Sequence, residues 1–254
     1  MTFESDAERA GATIPSAISV TNLRVRYRDG AIGVHDISIN VGQGQVVALI
    51  GPNGAGKTTT VRAITGFLYG EGTRIIGGTV SVMGQNVSGW EPHRISRLGV
   101  AVVPERFKVF GNMTVAENLK AVRPAPRRAS RKDDLDRALT LFPALAPRMK
   151  QHAGTLSGGE QQMLAICSAL LTEPRVLLVD EMTLGLHPSL HAPLFSAIEA
   201  IAKTGTAILI VDESVNLSLH MANYCYLLSN GLVRAHGDAA KFGQDEMLAA
   251  GYVG

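Results

Sequence analysis

Val46-Val-Ala-Leu-Ile50 runs without interruption into Gly51-Pro-Asn-Gly-Ala-Gly-Lys-Thr58, and this junction decides the fold class. Five consecutive apolar residues followed directly by glycine have the length of a strand covered on both faces, as in parallel sheets. The glycine-rich stretch fits the pattern G-x-x-x-x-G-K-[ST], and helical spacing follows over residues 57–68. The order is therefore strand, glycine loop, helix. In that setting glycines let backbone amides curl around phosphate oxygens, and the helix N-terminus adds partial positive charge. Gly51, Pro52, Asn53, Gly54, Ala55, Gly56, Lys57, Thr58 and Thr59 are the expected nucleotide-binding residues. Lys57 should reach the β- and γ-phosphates, and the Thr58 hydroxyl should ligate Mg²⁺. A purely structural glycine turn would explain the glycines but not the lysine and threonine that follow a buried strand.

Working outward, residues 17–27 and 34–41 alternate apolar with polar side chains, the pattern of half-buried antiparallel strands. Residues 70–78 read as a glycine-rich connection, and residues 79–83 and 99–103 as strands, the second ending at Pro104. From about residue 114 to 171 the pattern is mostly helical, interrupted by Arg123-Pro-Ala-Pro-Arg-Arg128, which reads as a solvated loop or as a contact for lipid headgroups or an acidic partner. Beyond it, apolar runs at 176–179 and 207–211 flank a helix over residues 188–203, the signature of a parallel sheet. Residues 224–229, Asn230-Gly231 and residues 232–236 form an expected hairpin.

The chain has 254 residues, 46% of them hydrophobic, enough for one domain with a substantial core. A formal charge of +2 leaves no excess for holding nucleic acid or an anionic membrane, so no nucleic-acid partner is expected. Cys167 and Cys225 lack partners at metal-ligand spacing and read as buried, reduced residues. No apolar run approaches the roughly 18 residues of a membrane-spanning helix. Residues 1–15 are polar and read as a loose cytoplasmic tail rather than a secretion signal.

Two further motifs bear on chemistry. Val176-Leu-Leu-Val-Asp-Glu181 is an apolar strand ending in two acids. It sets Asp180 at the sheet's carboxyl edge to hold Mg²⁺ and Glu181 beside it to polarise water. Leu156-Ser-Gly-Gly-Glu160 contains an S-x-x-E capping box, but capping does not account for paired glycines. Two glycines in a first helical turn cost about 1 kcal/mol each relative to alanine. They fit a backbone that a phosphate must approach closely.

With this segment the chain resembles the ABC ATPases, over about residues 18–237. The resemblance implies an α/β P-loop NTPase fold: an ABC ATPase domain at 16–254 with a mainly parallel core sheet, an antiparallel β-subdomain and a helical subdomain at about 114–171. It implies ATP and Mg²⁺ as cofactors and head-to-tail pairing with a second ATPase chain. Ser157, Gly158 and Gly159 would then act on the partner's ATP. It also implies that Tyr27 stacks on adenine, although an aromatic residue ending a half-buried strand is also an ordinary core residue. Arg97-Leu-Gly-Val-Ala-Val-Val-Pro-Glu105, Val109-Phe110, Leu119, residues 156–166 and Leu184-Gly-Leu186 look like the ATPases of branched-chain amino acid importers and their urea and amide relatives. There Glu105 stands in the loop that senses γ-phosphate, contributes near the metal and leans on the membrane subunit.

Three positions depart from the general pattern: Met182 where proline is usual, His187 where many members carry aspartate, and Glu213 at the switch position. Ionised Glu213 accepts hydrogen bonds only and repels a γ-phosphate. Either it is protonated or turned away, or hydrolysis is slow, or the chain pairs with a different ATPase; we favour the unequal pair. The resemblance implies an importer motor peripheral to the cytoplasmic face of the membrane, partnered by transmembrane permease subunits and, indirectly, an extracytoplasmic solute-binding protein. Its rivals are a soluble ABC ATPase acting on nucleic acid or ribosomes, and a weakly catalytic regulatory subunit.

Overall fold

The computed structural model describes residues 15–68, 72–106, 108–122, 131–182 and 187–242. The N-terminal segment up to residue 14, the Pro/Arg-rich stretch at 123–128 and Leu184-Gly-Leu186 lie outside the described residues. β1 (Ser16–Arg26) and β2 (Ile32–Gly42) pair antiparallel, with Val20 opposite Ile39 and Leu23 opposite Ile37. Their alternation buries one side-chain set and leaves the other in solvent. β3 (Val46–Ile50) is buried throughout and leads into α1 (Lys57–Thr65). β4 (Arg74–Val82) runs antiparallel to β1, and the short β5 (Gln85–Asn86) completes that edge.

After α2 (Pro92–Ser96) and β6 (Val100–Val103), a helical stretch holds α3 (Val115–Ala121), α4 (Arg131–Leu141) and α5 (Gly158–Leu170). The remaining elements are β7 (Val176–Asp180), α6 (His191–Lys203), β8 (Ala207–Asp212), α7 (Val215–Met221), β9 (Tyr224–Ser229) and β10 (Leu232–Asp238). The strands form one sheet in the order β5-β4-β1-β2-β10-β9-β3-β8-β7-β6. From β9 to β6 neighbouring strands are parallel, and β10 folds back antiparallel onto β9 to meet β2 at Leu232–Asp36. The C-terminal hairpin thus splices the antiparallel layer to the parallel core. Asn230 (φ 51°) and Gly231 (φ 70°) both take left-handed backbone, as a tight turn of that kind requires.

One apolar layer fills the space between the antiparallel strands, α1 and one face of the core sheet, with Leu49 and Ile64 fully buried. The other face packs under α3, α5 and α6 through Leu164, Ile166 and Ile198. Each such side chain contributes about 1.5–3 kcal/mol by transfer from water. Cys167 and Cys225 are both buried, and burial pushes the Cys167 thiol up to about 12.

Several expected boundaries shift. The first helix stops at Thr65 rather than residue 68, because Gly66 adopts φ 82° and its successor Phe67 bonds back to Arg62 O at 2.9 Å. The expected connection at 70–78 is strand from Arg74 onward, since β1 offers a ladder that offsets the low strand propensity of Gly77 and Gly78. Gly99 (φ 90°) precedes β6 instead of starting it. Residues 188–190 form a separate 3₁₀ turn before α6.

Candidate functional site

The carboxyl ends of β3, β7 and β8 place the loop at 51–58 beside Asp180, Glu181, Asp212 and Glu213. Close packing shapes that loop. A Cβ on Gly51 would lie 2.4 Å from Leu228 O, and Gly231 N–H donates to Ala55 O at 3.0 Å, so the C-terminal hairpin backs the loop. Gly56 (φ 102°) caps α1 with no side-chain hydrogen bond, and the first-turn amides are left for another acceptor.

Lys57 is buried, and its ammonium donates to the carbonyls of Gly51 (2.7 Å) and Pro52 (3.1 Å). Its Nζ lies 4.0 Å from Glu181 Oε1 and 3.9 Å from Glu213 Oε1. One cation thus faces two carboxylates. Glu181 reaches this position through a left-handed backbone (φ 52°), its N–H held by Val211 O at 2.8 Å. That conformation costs a non-glycine residue about 1–3 kcal/mol and persists only where neighbours enforce it.

The carboxyl pair is electrostatically unsatisfied. Burial pushes Asp180 up to about 6; Glu105 and Asp212 push the same way, while Lys57 and Arg62 oppose them. Asp180 Oδ1 is buried with no hydrogen-bond partner. Glu181 is pushed up to about 7 by burial and then by Asp212, Glu213 and Asp180, against the pull of Lys57. An orphaned carboxylate oxygen at the end of β7, with the Thr58 hydroxyl on the exposed side of α1, fits a divalent cation held between protein and phosphates. Glu105 lies close enough to act on Asp180, but its Oε1 is engaged by Arg106 Nε at 3.1 Å.

Tyr27 is 37% exposed at the end of β1, ring over Gly33 and hydroxyl 2.5 Å from Thr59 Oγ1, so it borders the nucleotide loop rather than the core. Ser157 caps α5: its hydroxyl accepts from Glu160 N (3.3 Å), while its own N–H donates to Glu160 Oε2 (2.9 Å). Gly158 is exposed. Among the described residues no hydrogen bond or ion pair joins Ser157, Gly158 or Gly159 to the glycine loop of the same chain. His187 caps the turn ahead of α6 through Ser189 (Nδ1 to N, 3.3 Å), and Met182 is wholly buried.

Two residues escaped the motif reading. Lys108 Nζ donates to Gln162 Oε1 at 2.5 Å, tying the loop after Glu105 to α5. Gln162 is 1% exposed and its Nε2 has no partner; burial lowers the Lys108 ammonium, with Glu105 opposing. Asn118 grips the same loop, accepting from Phe110 N at 2.7 Å and donating to Phe110 O and Thr114 O at 3.0 Å. The Lys108–Gln162 pair, 54 residues apart, leaves no local signal beyond a polar residue at a core-facing helical position, Gln162.

A family profile described as "ABC transporter" matches residues 34–184. The chain is 37% identical over 221 residues to the high-affinity branched-chain amino acid transport ATP-binding protein BraG of Pseudomonas aeruginosa, covering 87% of this chain and 93% of that one. It is 35% identical to the "Probable branched-chain amino acid transport ATP-binding protein LivF" of Archaeoglobus fulgidus, covering 87% and 92%. Identity to the lipopolysaccharide export system ATP-binding protein LptB of Escherichia coli is 30%, covering 94% and 98%. Its fold matches an ATP-binding cassette of an ABC transporter in the ADP conformation at TM-score 0.79, 24% identical, covering 94% and 99%. It also matches a dimeric cassette bound to ADP and Pi at TM-score 0.74, 19% identical, covering 87% and 98%. The chain belongs to the ABC transporter family, as one of its nucleotide-binding ATPase subunits.

Proposed function

We propose that this chain is the ATP-hydrolysing motor of an ABC importer for branched-chain amino acids or a related small polar solute, peripheral to the cytoplasmic face of the membrane. One observation carries the catalytic part: Glu181, in strained backbone, lies 4.0 Å from Lys57 Nζ and directly follows Asp180 with its orphaned oxygen. When ATP enters, Lys57 exchanges the Gly51 and Pro52 carbonyls for phosphate oxygens, and the amides at the start of α1 take the rest. Thr58 and Asp180 would hold Mg²⁺, with Glu105 nearby; bound there, it would supply positive charge to the β- and γ-phosphates. Glu181 orients the attacking water and accepts its proton, a role suited to a carboxyl raised to about 7. Tyr27 supports the base, and Ser157, Gly158 and Gly159 act on the ATP of a second ATPase chain.

Exposed Phe110 and Met113, beside the loop of Glu105, supply an apolar face for a membrane permease subunit. Identity to BraG and LivF supports import, whereas identity to LptB supports a transporter role in either direction. Glu213 facing Lys57 supports pairing with an unlike ATPase chain. The test is co-expression with candidate permease subunits and a second ABC ATPase. Co-purification with solute-stimulated turnover is expected, and Glu181→Gln should still bind ATP while hydrolysing it far more slowly. Unaltered hydrolysis in that variant would remove the assignment of Glu181, and failure to associate with any membrane subunit would remove the motor role.

A further inference from the structure

A concavity lies beside Tyr27 at the end of β1. Arg26, Tyr27, Arg28, Gly30, Gly72 and Arg74 line a cleft of about 460 Å³ where β1 ends and β4 begins. Arg26 stands directly opposite Arg74 in the β1–β4 register, a like-charge pair that works against the sheet. Arg28 lays its stem over Gly72, where an added Cβ would meet Arg28 Cδ at 3.1 Å, so the glycine gives the guanidinium's stem a seat on the cleft wall. All three arginines are exposed, and none joins an ion pair among the described residues. The adjacent acid, Asp29, is turned to the backbone, accepting from Ala31 N at 3.0 Å.

A merely solvated basic face does not need a concave wall, nor two arginines in register with no acid between them. Three planar guanidinium forks around one hollow match a phosphate, whose oxygens accept paired N–H donors. Tyr27 lines this cleft and also bonds Thr59, so one ring separates the hollow from the nucleotide loop.

We propose that the cleft of Arg26, Arg28 and Arg74 is a second phosphate-binding site, flanking the base-and-ribose end of the bound nucleotide. The proposal rests on the nucleotide lying against Tyr27. The phosphate belongs either to the ribose of that same nucleotide or to a separate phosphorylated molecule.

Calorimetry on the full chain separates these sources. The probes are ADP, ADP carrying a 3′-phosphate, and pyrophosphate added to ADP-saturated protein, each against wild type and the Arg26→Ala/Arg74→Ala double variant. If the ribose supplies the phosphate, 3′-phosphorylated ADP binds about tenfold tighter than ADP, and the advantage disappears in the double variant. If a separate molecule supplies it, pyrophosphate binds the ADP-loaded wild type at one per chain and no longer binds the variant. ADP affinity should be the same in both proteins. The proposal is overturned if neither probe distinguishes wild type from variant. Failure of ADP to bind wild type would instead count against the nucleotide-loop reading, and pyrophosphate binding lost in the variant would then still support the cleft.

Discussion

Replacing Glu213 with glutamine should strengthen ATP binding. Glu213 Oε1 lies 3.9 Å from Lys57 Nζ, the group expected to turn to the phosphates. At that separation two unit charges interact by about 1 kcal/mol under water-like screening and about 4 kcal/mol at an effective dielectric of 20. Glu213 is 41% exposed, so the lower half of that range applies, about 1–2 kcal/mol. Removing the charge frees Lys57 and also removes repulsion of the incoming γ-phosphate. Both effects act in the same direction, giving a gain of about 5- to 30-fold in ATP affinity. The gain should be larger for ATP than for ADP, which lacks the γ-phosphate, and should shrink as salt is raised. Titration calorimetry with ATP and ADP at two ionic strengths reads all of this. Glu213→Gln and Glu213→His should also raise turnover of the isolated chain, because each restores a donor at the switch position. Unchanged or weaker ATP binding, together with unchanged or lower turnover, would refute the reasoning.

Asp180→Asn should abolish the Mg²⁺-dependent part of ATP affinity while leaving the apo protein at least as stable, since it removes an uncompensated buried charge; calorimetry with and without EDTA and a thermal melt decide it. Glu181, raised to about 7, favours the folded state in its protonated form. Its contribution is therefore full below its unfolded value near 4.5 and lost as pH rises through 7, so the apo Tm should fall across that window and Glu181→Gln should flatten the fall. Gly51→Ala would set a methyl 2.4 Å from Leu228 O, costing about 1–3 kcal/mol and weakening nucleotide binding; wild-type Tm and Kd would contradict the packing argument. Lys108→Met should destabilise by about 1–3 kcal/mol, measured by urea unfolding, because Gln162 then has no partner at either end of its amide. Turnover should drop more than ATP affinity, since the broken link joins the Glu105 loop to α5.

Local features were legible. The run at 46–58, Asp180 at the end of its strand, the capping box at 157–160 and the Asn230-Gly231 turn each combine residue type with immediate context, and each takes the expected backbone. What escaped was set by partners far away in the chain. Nothing near residue 181 signals its left-handed backbone, which Val211 O enforces. Arg26 became a neighbour of Arg74, and Lys108 of Gln162, only through strand register and helix packing. The overextended first helix shows the converse: Leu68 continues the apolar spacing and is buried, yet Gly66 had already turned the chain.

The backing of the glycine loop by Gly231 also orders events during synthesis. The ribosome releases residues 51–58 well before their packing surface, Leu228 O and the Gly231 amide, which follows only after residues 59–227 have been made. Until then the phosphate cradle has no rear wall. Nucleotide binding in nascent chains should therefore appear abruptly once the β9–β10 hairpin clears the exit tunnel, and chains stopped short of it should leave cellular ATP untouched.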